Sequence, residues 1–141
     1  MNDFEQTATI IAYGRTPNNS GTHSLARQKD RALAWAAREG VSIDEEFDEV
    51  TSGLKMAPGL SKILARAERG EKIQLLVEEP SRIARGLTVL GELLRRAHKC
   101  GLAIYFTRDG AAEAASINEL SSAVNVGLQI QRAYRRERKH G

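Results

Sequence analysis

Apolar positions along this chain form short runs separated by polar stretches with helical spacing. Thr9-Ile10-Ile11-Ala12-Tyr13 is an unbroken apolar, β-branched and aromatic run, the pattern of a buried strand, and Gly14 to Gly21 reads as the loop that follows it. Ser24 stands where a helix cap is expected. Leu25, Ala32, Leu33, Trp35 and Ala36 supply an apolar face beyond it, and Gly40 is placed to end the helix. Val41 to Asp48 reads as a second strand with an acidic end, and Glu49 to Met56 as a loop. Pro58 suits the first turn of a helix whose Leu60, Ile63, Leu64 and Ala67 share one face before Gly70. Ile73 to Val77 is a third apolar strand. Leu87, Leu90, Leu94 and Ala97 then recur at spacings of three and four up to Cys100-Gly101, and Leu102 to Phe106 is a fourth strand.

Strands alternating with helices of this length imply βαβ units and a parallel sheet buried on both faces. The expected fold class is α/β, with a mainly parallel sheet of four or five strands flanked by helices. Four strands are expected near 9–13, 41–48, 72–78 and 102–107. From Ser116 to Lys139 the rhythm changes: there is no proline, a single glycine (Gly127), and an apolar series Ile117, Leu120, Val124, Leu128. A helix of about 22 residues would span about 33 Å, more than a small core can cover. It either pairs with a second copy of the chain or folds back over its own sheet. Residues 1–110 are thus expected to form the α/β unit, and residues 111–141 a long dimerisation helix with a basic end.

Composition narrows the class. The chain has 141 residues, 41% hydrophobic and 28% charged, the balance of a soluble globular domain. No apolar run approaches the ~18 residues of a membrane span, and the N-terminus lacks the order of a signal peptide, so a cytoplasmic protein without membrane association is expected. One cysteine, Cys100, excludes an intramolecular disulfide, and three scattered histidines make a zinc site an unpromising reading. The net charge of +3 is unevenly distributed. Arg132, Arg135, Arg136, Arg138 and Lys139 face a single acid, Glu137, so the basic excess lies in the tail and the rest is close to neutral. That tail is either a solubilising end or the contact for an anionic partner such as DNA.

Four ordered pieces carry a resemblance. They are Tyr13-Gly14-Arg15 with Ser24-Leu25-Ala26-Arg27-Gln28; Phe47-Asp48 with Ser52-Gly53 and Pro58-Gly59-Leu60; Ser81-Arg82-Ile83-Ala84-Arg85; and the long final helix ending in the basic tail. Together they resemble the catalytic domain of the resolvase/invertase family of serine recombinases, over roughly residues 9–141. The resemblance implies DNA cleavage without metal or cofactor. In that chemistry a serine hydroxyl attacks a phosphodiester and forms a phosphoserine link, while clustered arginines offset the charge that gathers on the phosphoryl oxygens. Arginine suits the task because its planar fork stays charged and binds phosphate bidentately.

Carried over residue by residue, the resemblance makes Arg15, Gln28, Arg82 and Arg85 candidate site residues, Arg82 and Arg85 standing for the two arginines of D-R-x-x-R. Three positions depart from the pattern. The serine expected two residues after the first arginine is Pro17, the arginine expected before Pro-Gly-Leu is Ala57, and the aspartate of D-R-x-x-R is Ser81. Ser20, in a loop about two residues longer than the pattern expects, is the one alternative nucleophile.

Members of that family usually continue past the long helix into a helix-turn-helix reader, and none is expected within this sequence. The tail cations would therefore contact phosphates without reading bases. Expected partners are DNA, through weak backbone contacts, a second copy of the chain, and a full-length recombinase. The functional readings are a recombinase domain relaxed in cleavage, an active strand-transfer enzyme using Ser20, or a protein-interaction module on the same scaffold.

The remaining candidates read as ordinary structure. His23 and His98 flank helix ends. Asp44, Glu45, Glu46, Asp48 and Glu49 read as an acidic surface strand end rather than a metal site. Cys100 reads as a packed small hydrophobe, and Trp35 and Tyr134 are too isolated for a base-stacking platform.

Overall fold

The computed structural model describes residues 8–18 and 21–108. The elements run in the order β1 (Thr9–Thr16), α1 (Thr22–Glu39), β2 (Glu45–Val50), α2 (Pro58–Glu68), β3 (Ile73–Val77), α3 (Pro80–Ile83), α4 (Leu87–Cys100) and β4 (Ala103–Phe106). The four strands form one sheet in the order β2-β1-β3-β4, and every neighbouring pair is parallel. The expected α/β class with a mainly parallel, helix-flanked sheet is therefore what the chain adopts. The proposed long helix, with Ile117, Leu120, Val124, Leu128 and the basic tail, lies outside the described residues.

Alternation along the central strands divides the core in two. Ile11 and Tyr13 of β1, Leu75 and Val77 of β3 and Ile104 of β4 face α2 and α4, where they meet Leu60, Ile63, Leu64, Leu90, Leu93, Leu94 and Ala97. The intervening Ile10, Ala12 and Leu76 face α1 and pack on Ala32, Trp35 and Ala36, with Tyr105 leaning on this cluster. Trp35 and Tyr105 stand 5.2 Å apart in a tilted arrangement, a favoured geometry for aromatic pairs. Helices on both faces leave central strands no solvent side, which is why β1 and β3 read as continuous apolar runs.

The boundaries differ from expectation in four places, each for a local reason. β1 continues to Thr16 because β2 pairs with it down to Val50. Gly14, expected in a loop, sits inside the strand, where a Cβ would come within 2.8 Å of Asp48 Oδ1. β2 begins at Glu45 rather than Val41. The preceding Asp44 is locked to β1 from both sides, its N–H donating to the Ile10 carbonyl and its carboxylate accepting from the Ile10 N–H, both at 2.8 Å. Ser24 caps nothing: α1 starts after Gly21 without a side-chain cap, and Ser24 Oγ accepts from the Gln28 amide instead. Finally, α3 is a separate short helix, not foreseen in the pattern.

One acidic residue anchors the sheet to α2. Glu49 accepts from the Gly59 N–H at 2.7 Å and the Leu60 N–H at 3.1 Å, supplying the acceptor that Ala57 at the N-cap cannot. Its Oε2 also accepts from the Tyr13 hydroxyl at 2.6 Å. Burial, and then the bond to Glu49 with its negative charge, push the Tyr13 phenol well above its usual range. An unfolded tyrosine ionises near pH ~10, so above that pH the unfolded chain releases a proton the folded one retains, and stability is lost as pH rises. Tyr13→Phe is expected to lower unfolding free energy by about 1.5–3 kcal/mol at pH 7. The gap to wild type should narrow above pH ~10, as read from urea unfolding across that range. A gap independent of pH would show that Tyr13 does not carry this linkage.

Candidate functional site

The segments that follow β2 and β3 meet at the carboxyl end of β1, on the edge where open parallel sheets place their ligands. Arg15, near the end of β1, is only 2% exposed, and each of its three guanidinium nitrogens donates a hydrogen bond. Nε donates to the Arg82 carbonyl at 3.0 Å. One terminal nitrogen donates to the Thr51 carbonyl at 2.6 Å and the other to the Ser81 carbonyl at 2.6 Å. One planar fork thus ties the loop after β2 to two consecutive carbonyls of α3. Gly53 covers it so closely that a Cβ there would lie 2.6 Å from Arg15 Cζ, and its φ of +75° is itself a conformation that favours glycine.

Gln28 of α1 holds the Arg15 backbone. Its Oε1 accepts from the Arg15 N–H and its Nε2 donates to the Arg15 carbonyl, each at 3.1 Å. The amide therefore acts like one more strand residue, in a place where the sheet has none to offer. Burial lowers the Arg15 pKa. Tyr13 opposes this, while the nearby positive charges of Arg82 and Arg85 add to it. Those charges place all three guanidiniums in one electrostatic neighbourhood.

Arg82 and Arg85 sit differently. The Arg82 N–H donates to the Glu79 carbonyl at 3.0 Å, and its side chain is 18% exposed. Arg85 is exposed, and its N–H donates to the Gly53 carbonyl at 3.0 Å, so the loop after β2 closes over this segment. Among the described residues the Arg85 guanidinium has no hydrogen-bond or ion-pair partner. The structure thus brings Arg15, Gln28, Arg82 and Arg85 to one edge, with Arg15 and Gln28 inside and Arg82 and Arg85 toward solvent. Ser20 lies outside the described residues, as do Arg132, Arg135, Arg136, Arg138 and Lys139.

The three departures from the recombinase pattern have definite surroundings. Pro17 lies on an exposed bend directly after β1. Ala57 is 1% exposed at the start of α2, beside the termini that Glu49 already satisfies. The Ser81 hydroxyl donates to the Glu79 carboxylate.

Sequence reasoning passed over Glu78. It follows β3, is 1% exposed on its side chain, and meets three arginines: Arg27 at 3.2 Å, Arg31 at 3.4 Å and Arg82 at 3.2 Å. The available signal was an acid directly after a buried apolar strand, a place where a carboxylate needs partners to be tolerated. Four of the five neighbouring acids from Asp44 to Glu49 hold structural contacts instead. Beyond Asp44 and Glu49, Glu45 pairs with Arg66 at 2.7 Å and Glu46 with Lys29 at 3.0 Å. Burial, then repulsion from Glu46, raises the pKa of Asp48.

The network around Arg15 has a measurable consequence. Arg15→Lys keeps the charge but replaces a fork by a point donor that cannot serve three diverging carbonyls. It is expected to cost about 2–4 kcal/mol in urea unfolding and to loosen the loop after β2, seen as faster amide exchange of Arg85. Unchanged stability would show that the three bonds are dispensable.

With the geometry described, comparison with known proteins is informative. The chain is similar to a resolvase family site-specific recombinase from Streptococcus pneumoniae, with 19% identity, a TM-score of 0.77, and coverage of 94% of this chain and 93% of that one. It is also similar to the N-terminal catalytic domain of TP901-1 integrase, at 17% identity and a TM-score of 0.71, over 89% and 98% of the two chains. A serine recombinase from Sulfolobus solfataricus matches at 21% identity and a TM-score of 0.56, over 87% and 82%. At these identities the likeness shows the shared fold. No curated protein matches the chain. Among the described residues no helix is long and apolar enough to cross a membrane. The family model for the resolvase N-terminal domain matches residues 10–141, nearly the whole chain, and on that ground the protein belongs to the resolvase N-terminal domain family.

Proposed function

We propose that this chain is a resolvase-type domain that engages the DNA backbone in recombination but is relaxed in strand cleavage. The observation that carries the reading is Pro17. The family places its nucleophilic serine two residues after the first arginine, and at that position this chain has an exposed bend with no hydroxyl. Two further departures point the same way. Ala57 offers no cation to a phosphate, and Ser81 offers no carboxylate to its neighbouring arginines. A displaced nucleophile would have to meet the phosphorus in line, and a misplacement near 1 Å costs about 10²-fold in rate.

Phosphate contact survives these losses. Arg82 and Arg85 lie toward solvent beside a buried Arg15, and Arg85 has a side chain unengaged among the described residues. The tail cations Arg132, Arg135, Arg136, Arg138 and Lys139 add sequence-independent backbone contacts, and a dimer formed through Ile117, Leu120, Val124 and Leu128 doubles them. The working assembly is then a homodimer, or a mixed assembly with a full-length recombinase, in a cytoplasmic setting and without metal or cofactor.

Purified protein is expected to leave supercoiled plasmid uncut under conditions that trap covalent protein–DNA intermediates. A phosphoserine adduct on Ser20, abolished by Ser20→Ala, would overturn the relaxed-cleavage reading in favour of an active enzyme with a displaced nucleophile. Binding is tested separately. Arg85→Ala should weaken binding to a short duplex at low salt several-fold and reduce the slope of log affinity against log salt by about 0.9. An unchanged slope would remove Arg85 from the DNA-facing surface.

A further inference from the structure

We propose that Glu78 is a positioning residue that aims the Arg82 guanidinium at a DNA phosphate, an inference that rests on the reading of this edge as the phosphate-contacting surface. The geometry is specific about which side of the guanidinium is held. Arg82 Nε donates to Glu78 Oε1 at 3.2 Å, one helical turn apart in sequence. This is the only Arg82 side-chain bond among the described residues, and among them the two terminal nitrogens meet no acceptor. A guanidinium held by its Nε edge points its terminal nitrogens forward, the arrangement that receives two phosphate oxygens at once.

The carboxylate is itself held so that it cannot follow Arg82. Its Oε2 accepts from Arg27 Nε at 3.2 Å and lies 3.4 Å from Arg31, both on α1. A second Arg27 nitrogen reaches Oε1 at 3.5 Å. The Glu78 backbone is fixed as well, its carbonyl accepting from the Arg108 N–H at 3.0 Å beside the β3–β4 pairing. On the other side, the Arg82 carbonyl accepts from Arg15 Nε and its N–H is bonded to Glu79. Arg82 is thus fixed at its backbone by the Arg15 network and near the end of its side chain by Glu78. The rotamer freedom that a long side chain would lose on meeting phosphate is already lost in the folded chain.

Glu78 also explains how Arg27, Arg31 and Arg82 gather at a buried point. Three guanidiniums around one carboxylate, 1% exposed, are tolerable because the acid sits at their centre. Arg27 and Arg31 serve the carboxylate, and the carboxylate serves Arg82.

Two substitutions separate reach from charge. Glu78→Asp keeps the charge but withdraws the acceptor by one methylene, whereas Glu78→Gln keeps an oxygen in reach and removes the charge. Affinity for a short fluorescein-labelled duplex, read by anisotropy at low salt, is the assay, and the basic tail contributes equally to every variant. Arg82→Ala is expected to lower affinity about tenfold, Glu78→Asp to lower it by a similar factor, and Glu78→Gln, which keeps an acceptor in reach but removes the cluster's counter-charge, to lower it less than Glu78→Asp. In the Glu78→Asp background, with native folding verified by circular dichroism, Arg82→Ala should add almost nothing.

Full affinity in Glu78→Asp, with loss in Arg82→Ala, would overturn the positioning role while leaving the DNA-facing reading intact. No loss in Arg82→Ala would overturn both. Because an aspartate in this buried cluster can compromise folding, the wild-type protein supplies a second measurement. The Arg82 Nε–H should exchange with water about tenfold or more slowly than that of Arg85 by nitrogen-15 NMR. Equal exchange at the two sites would overturn the proposal without any variant.

Discussion

The buried Arg15 guanidinium is the joint on which the functional edge depends. The sheet and its helices are secured by apolar packing on both faces, and Met56, Ala57, Ile83 and Ala84 join the segments after β2 and β3 to that core. Their backbones are tied together by one side chain, Arg15, which donates hydrogen bonds to the Thr51, Ser81 and Arg82 carbonyls. A charge buried to 2% exposure is tolerable because these carbonyls replace water as its solvation shell. Gln28 fixes the strand from which Arg15 projects, and Gly53 leaves room for its plane. Had any of these been bulkier or less polar, Arg82 and Arg85 would have no defined place.

Charge at this edge is organised in depth. Arg15 lies innermost and is satisfied by backbone; Arg82 is intermediate and meets a carboxylate; Arg85 is outermost and faces solvent. Such a gradient keeps like charges apart while directing the residual positive potential outward. This is the property a polyanion partner needs, whatever becomes of cleavage. Membership of the resolvase family accounts for the scaffold, whereas the proposed reading of its chemistry rests on Pro17, Ala57 and Ser81. Fold and reaction are separable here because the first rests on the core and the second on a few loop positions.

Where expectation and structure part, the cause is pairing between distant segments. The apolar runs Ile10–Tyr13 and Ile73–Val77 and the helical stripes of α2 and α4 were legible because burial imposes its period directly on the residues. Strand ends were not legible. Thr16 is strand because Val50 pairs with it, and Val41 is not strand because Asp44 engages Ile10 just before the ladder begins. Ser24 looked like a cap by residue type, but its hydroxyl was taken by Gln28 one turn away. In the site, Arg15, Gln28, Arg82 and Arg85 were legible as a set through resemblance, whereas their division into buried braces and outward cations was not.

What this sequence determines unaided is therefore its class: alternating buried strands and amphipathic helices, a parallel sheet, and a basic end distinct from a near-neutral body. Those properties follow from local period and composition, which any window of the chain displays. The roles of individual charged residues belong to the folded molecule. Glu49 caps a helix ten residues away, Arg15 binds carbonyls more than sixty positions distant, and Glu78 gathers arginines from another element. A hydrogen bond is short and directional, so its partner is set by where the packed core brings two loops together, and no local pattern of residues encodes that meeting.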